Sequence, residues 1–340
     1  MRDNSLACTE IPVIRPQLFE LKHLKSLSLF NCFTSPNQYL TSVSDEKWLD
    51  LSNNLETLEI RSNPGLIGEL PSFITSLTNL QSLVVLENRL TGSLPENLAK
   101  LTRLRRLVLS GNRFTGRIPE EVHGLTGLLI LDLSRNFFSG PLPLSVGGLS
   151  SLLKLDVSNN YLEGKVPIEL QSLKNLTLFD LTNNRFSGGL TKEIQEMSSL
   201  VELVLSNNHL EGDLTGIKWR NLKNLVLLDL SNTRLKGEIP WSILELKKLR
   251  FLGLSNNSLG GKLFPQMETE MPCLNALYVN GNSISGELEF SKKFYERMGR
   301  RLGVWGNPSL CYNGDEIKNL RDHAPFGVNQ CKRMKAVTLA

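Results

Sequence analysis

The residues in this 340-residue chain with chemistry to offer are five cysteines, four histidines and two Asn-x-Ser/Thr triplets. His23, His123, His209 and His323 occur in no HExxH arrangement, and no CxxC pair accompanies them, so the spacing that would hold a metal is missing. No GxSxG turn offers a nucleophile. The segment GNRFTGR at 111–117 approaches a phosphate loop, but it lacks the Lys-Ser/Thr pair that would complete one. These residues therefore point away from an enzyme, and no cofactor or metal is expected. Cys8 and Cys32 stand 24 residues apart, and Cys311 and Cys331 flank the last stretch of regular sequence. Cys273 is left over, and its place just before a leucine reads as a buried, inert thiol.

The number 24 governs the elements that would position these groups. Leucines 80, 104, 128, 152, 176 and 200 are equally spaced, and Leu225, Leu249 and Leu274 continue the series at steps of 25, 24 and 25. Leucine makes up about a fifth of the chain, roughly twice the usual share, and the repeat accounts for the excess. The recurring phrase is LxxLxLxxNxLxGxIP, as in LRRLVLSGNRFTGRIP at 104–119. Its LxL portion is a short strand with Leu107 and Leu109 directed inward, while Arg106, Val108 and Ser110 are expected to face out. The ninth-position asparagines (Asn88, Asn112, Asn136, Asn160, Asn184, Asn208, Asn257, Asn282) can donate and accept at a buried turn, and Thr233 makes one weaker rung. Each coil buries its leucines only against its neighbours, so the ends need caps.

This pattern matches the leucine-rich repeat, and its LxGxIP extension resembles the plant extracellular type. The implied fold is an α/β repeat solenoid, a right-handed leucine-rich repeat superhelix with a concave parallel sheet. The domain reading is a partial N-terminal cap at 1–23, a solenoid of about 11–12 coils at 24–306, and a C-terminal cap with a basic tail at 307–340. Within such a coil Cys8 and Cys32 stack one repeat apart, inside the span of a disulfide, and Cys311–Cys331 would pin the C-terminal segment over the open core.

Three segments are not generic repeat: LFNCF at 29–33, NPGLIGELP at 63–71 and KKFYERMGRRLGVWGNPSLC at 292–311. Together they resemble a plant group of kinase-less leucine-rich proteins, the piriformospora indica-insensitive proteins, and more distantly the receptor-like protein Too Many Mouths. That resemblance implies a cell-surface protein that contacts other proteins, often leucine-rich repeat receptor kinases. The opening Met1-Arg2-Asp3-Asn4 is followed by no apolar signal segment, and no hydrophobic tail precedes Ala340. Bridges together with the sequons at Asn175 and Asn256 favour an extracellular home, on the outer face of the plasma membrane. Alternatives are an inhibitor of pathogen polygalacturonases and an intracellular scaffold. Those inhibitors carry four cysteines in each cap, where this chain has two and three.

A partner would meet the concave strand face. The fifth repeat position carries Asp132, Asp156, Asp180 and Asp229, which read as local hydrogen-bonding groups. An apolar cluster of Leu178, Leu227, Phe251 and Tyr278 points outward near them, a pattern that marks a contact site, and Arg106 and Lys154 add charge toward the N-terminal end. From Ser291 to Ala340 the chain holds 10 Lys and Arg against 4 Asp and Glu, so the net charge of +4 is a property of that flank. A solvated helix and tail is one reading of it, contact with pectin or an anionic membrane surface another, and nucleic acid is disfavoured because no aromatic residues interleave with the charges.

Overall fold

The computed structural model describes residues 8, 14, 16–40, 45–313 and 325–331. The basic tail residues Lys332, Arg333 and Lys335, His323, and most of the 1–15 stretch of the N-terminal cap lie outside the described residues. The chain forms two compact units, Met1–Phe186 and Ser187–Ala340. In the first, seven parallel strands follow one another in chain order: Ser26–Phe30, Thr57–Arg61, Ser82–Leu86, Arg106–Val108, Ile130–Asp132, Lys154–Asp156 and Leu178–Asp180. In the second, Glu202–Val204, Leu227–Asp229, Phe251–Gly253, Ala276–Tyr278 and Leu302–Gly303 do the same. Opposite most strands a proline in extended backbone starts a short 3-10 segment, as Pro95 does for Glu96–Lys100 and Pro167 for Ile168–Ser172. Strand leucines such as Leu131, Leu155, Leu228 and Leu252 are wholly buried.

The asparagine ladder binds one coil to the next. Asn160 donates through Nδ2 to the carbonyl of Leu133 on the preceding coil (3.0 Å) and to Val157 (3.1 Å) and Ser158 (3.2 Å) on its own, while its Oδ1 accepts from the Phe138 amide (3.0 Å). Asn63 and Asn307 extend the ladder beyond the series read from sequence. Asn63 accepts from the amides of Cys32 and Phe33, and Asn307 donates to Val279 and accepts from Ile284. The Thr233 hydroxyl donates to Leu230 within its own coil (2.6 Å) and its backbone amide to Asn257 Oδ1 (3.0 Å), and its side chain has no amide with which to reach back a coil.

The residue before each ladder position has left-handed backbone, from Asn159 (φ 56°) and Asn183 (φ 55°) to Gly281 (φ 67°). Asparagine and glycine tolerate that conformation better than other residues, which explains the N-N and G-N pairs of the repeat. Glu87 (φ 56°) and Arg135 (φ 55°) adopt it without either advantage.

Three expectations need correction. Val108 and Ser110 are buried, not outward-facing. Adjacent coils are so close that small residues on the sheet face are covered by their neighbours. Cys273 is exposed, because the position before the leading leucine belongs to the turn entering the strand and not to the core. Cys8 is joined to Cys32 and Cys311 to Cys331, with Cα separations of 5.1 and 4.9 Å.

Replacing Asn160 with Ala strands buried carbonyls and one amide and is expected to lower stability by roughly 3 kcal/mol, whereas Thr233→Asn adds a link between coils and should raise it by about 1 kcal/mol. Thermal unfolding followed by circular dichroism checks both. Native-state labelling with a maleimide should modify one cysteine per chain, at Cys273, and peptide mapping by mass spectrometry reads the site.

Candidate functional site

On the sheet face of the second unit, Leu227, Phe251 and Ala276 occupy one row, and Asp229, Gly253, Tyr278 and Gly303 the next. Two glycines decide how the rings lie. A Cβ at position 253 would stand 2.8 Å from Phe251 Cε1, and one at 303 would stand 2.5 Å from Tyr278 Cδ1 and 3.1 Å from Trp305 Cζ3. Each ring therefore leans across a bare backbone, the close approach that a strand glycine permits. The Phe251 and Tyr278 centroids are 5.7 Å apart. Trp305 then meets Phe326 edge to face at 6.0 Å, and Phe326 is 78% exposed. Leu227, Phe251, Tyr278 and Trp305 are half-buried, so the cluster is less exposed than the sequence suggested. The cause is this leaning geometry: ring faces rest on the sheet and on one another.

Trp305 and Phe326 were not read from the sequence as members of the site. A glycine at a strand position beside an aromatic residue was the available signal for Trp305. Phe326 carries none, since it reaches the stripe through the segment that the Cys311–Cys331 bridge ties down.

In the first unit, Lys154 sits between two carboxylates, 3.0 Å from Asp132 and 3.3 Å from Asp156. Burial pulls its ammonium pKa down, but hydrogen bonds and charge from both aspartates outweigh this and leave it raised. Its charge is thus paired within the sheet, with little left over to select a partner. Leu178 is its neighbour on the next strand, half-buried. Arg106 is also half-buried, between Ser82 and Ile130, and its Nε is buried without a partner. The aspartate column bonds locally. Asp132 and Asp156 each accept from a serine hydroxyl at 2.7 Å, Asp180 from the Thr182 amide at 2.8 Å and Asp229 from the Ser231 amide at 3.0 Å. Burial pushes the Asp180 pKa up, and the Thr182 hydrogen bonds oppose it.

Both sequon asparagines are exposed. Asn175 donates to the Ser150 carbonyl (3.0 Å), and Asn256 is one of the left-handed residues.

Comparison with known proteins agrees with this architecture. The family model described as Leucine Rich Repeat matches residues 103–125, 127–149, 151–173 and 224–246. Those four segments are leucine-rich repeats, and the parallel strands on either side of them continue the same architecture. Over 86 residues it is 60% identical to Piriformospora indica-insensitive protein 2 of Arabidopsis thaliana, covering 25% of this chain and 20% of that one. Over 83 residues it is 35% identical to Receptor like protein 29 of the same plant, covering 24% and 17%. Among solved structures it is similar to the Arabidopsis receptor kinase HAESA in complex with the peptide hormone IDA and the co-receptor SERK1. The TM-score is 0.74 and the identity 30%, over 88% of this chain and 48% of that one. The chain thus spans about a fifth of the curated relatives it matches and about half of the HAESA chain. Among the described residues no helix is long and apolar enough to cross a membrane.

The raised pKa of Asp180 has a definite sign. With the folded value above the unfolded one, the contribution to stability is full at low pH and is lost as pH rises through the folded value. Asp180→Asn keeps the acceptor for Thr182 and removes the buried charge. It should therefore raise the thermal midpoint at neutral pH, with the gain disappearing as pH falls below the ordinary aspartate range. Melting curves of both proteins across that range check it.

Proposed function

We propose that this chain is a non-catalytic recognition module at the plant cell surface, a receptor-like protein or co-receptor scaffold whose partners are leucine-rich repeat receptor kinases. The observation that carries the reading is the aromatic stripe of the second unit, from Phe251 and Tyr278 to Trp305, laid over strand glycines on the sheet face. Aromatic residues supply most of the contact area at protein interfaces, and a half-buried ring that is already held in place loses little freedom on binding. The HAESA complex, in which a repeat ectodomain holds a peptide hormone and a co-receptor, supports the same kind of use. Two disulfides and two exposed sequon asparagines suit an extracellular location.

Leu227, Phe251 and Tyr278, with Trp305, are proposed as contact residues. Leu178, Arg106 and Lys154 of the first unit are proposed as secondary ones, Lys154 with its charge already paired. The test is a cross-linked capture from plant membrane extract and fungal culture filtrate, with bound proteins identified by mass spectrometry. Wild-type protein should retain receptor kinases, and Phe251→Asp should lose them while keeping its circular dichroism spectrum and melting temperature. Recovery of a polygalacturonase in place of kinases moves the chain to the inhibitor class. Equal capture by Phe251→Asp removes the stripe from the site.

A further inference from the structure

A second surface lies in the first unit, on the turn that leaves the strands. One repeat position carries Arg89, Arg113, Phe137, Tyr161 and Arg185 on five successive coils, all exposed. Phe137 and Tyr161 stack with centroids 5.9 Å apart, and the Arg185 guanidinium lies 4.9 Å over the Tyr161 ring. Between this column and the left-handed residues runs a groove of about 360 Å³, walled by Arg135, Asn159 and Asn183 on one side and by Phe137 and Tyr161 on the other. Arg135 occupies a left-handed position where the neighbouring coils place Asn or Gly, a conformation unfavourable for its side chain. The fold thus holds an arginine at the groove's edge at some expense of stability.

The chemistry of this groove selects a ligand class. Its backbone is already paired between coils, since the amides of Arg135, Asn159 and Asn160 donate to Ser158, Thr182 and Asn183. An extended peptide therefore finds no free ladder to join. Side chains alone are presented: amides, with Asn183 Nδ2 donating to Asn159 Oδ1 (2.7 Å) and Asn159 Nδ2 to Ser158 Oγ (3.2 Å), whose second N–H groups and further lone pairs match hydroxyl groups; ring edges and apolar carbon; and guanidinium groups matched to carboxylates. The column itself carries no acidic residue; the carboxylates near it are Glu87, 3.4 Å from Arg135 with both side chains at least half exposed, and exposed Glu163, two residues beyond Tyr161 on the strand beside that of Arg185. A salt bridge so exposed is weak and readily exchanged.

We propose that this groove binds an acidic oligosaccharide, a chain of pyranose units bearing carboxylates. Its hydroxyls meet Asn159 and Asn183, its carboxylates meet Arg135 and Arg185, and its C–H edges rest against Phe137 and Tyr161. The site is separate from the aromatic stripe of the second unit and does not rest on that reading.

Titration calorimetry of the full chain, disulfides intact, with oligogalacturonate as the probe tests the assignment. Saturable binding is expected, weakening with salt. Tyr161→Ala and Arg135→Asn should each weaken it by roughly tenfold, the scale of one lost charge-assisted contact. Arg135→Asn also relieves the left-handed position, so its melting temperature should hold or rise, which separates a binding loss from a folding loss. Phe251→Asp should bind as wild type does. Failure of wild-type protein to bind oligogalacturonate overturns the proposal, as does unchanged affinity in both variants. Polyglutamate binding as tightly would show a site that reads charge or acidic peptide, and equal binding of a neutral cello-oligomer would show that the carboxylates are not read; either result overturns it.

Discussion

Everything in this chain depends on the hydrogen bonds that one coil makes to the next. A coil of 24 residues cannot close its own backbone groups, because its strand pairs only with strands of other coils and its turn leaves carbonyls and amides facing the interior. The ladder asparagine resolves this with one amide, which donates to two coils and accepts from the coil before, as Asn160 does with Leu133, Val157 and Phe138. A buried group left unpaired costs about 1–3 kcal/mol, so a ladder missing several rungs would not stack. The ladder also fixes the conformation of the residue before it and, through that, the composition of the whole repeat.

The same constraint determines what the protein can present. Main-chain groups are used internally, and the surface available to a partner consists of columns of side chains at one residue per coil. Neighbours in a column stand at the strand spacing of ~4.8 Å, close enough for rings and amides to stack but not to converge on one point. Such a surface suits recognition of an extended or flat partner. Where a column carries aspartate, the carboxylate bonds to the residue two positions on. Where it carries glycine, as at 253 and 303, it admits an aromatic ring from the side.

Periodicity made the architecture legible: the leucine spacing gave the coils, the strands and most of the ladder, and the 24-residue interval between Cys8 and Cys32 placed them on adjacent turns. Asn63 escaped because the coil around it departs from the repeat phrase. Side-chain burial was less legible. Val108 and Ser110 alternate correctly with the core leucines yet are covered, because the covering comes from neighbouring coils and not from their own sequence. Cys273 failed in the opposite direction, since adjacency to a core leucine says nothing about the inside of a turn. The aromatic stripe was partly visible in Phe251 and Tyr278, with Leu227 beside them, but Trp305 emerges only once Gly303 is seen as the seat shared by two rings.

Hydroxyl-radical footprinting of the chain, alone and with a receptor-kinase ectodomain recovered as its partner, tests the central claim most directly. Aromatic side chains react readily, so each ring of the stripe reports on itself. The account predicts that Phe251, Tyr278 and Trp305 lose reactivity in the complex, while Trp241, which is 57% exposed on a 3-10 segment, reacts unchanged. Protection of Trp241 with the three stripe residues unaffected would contradict it and place recognition on the other side of the coils.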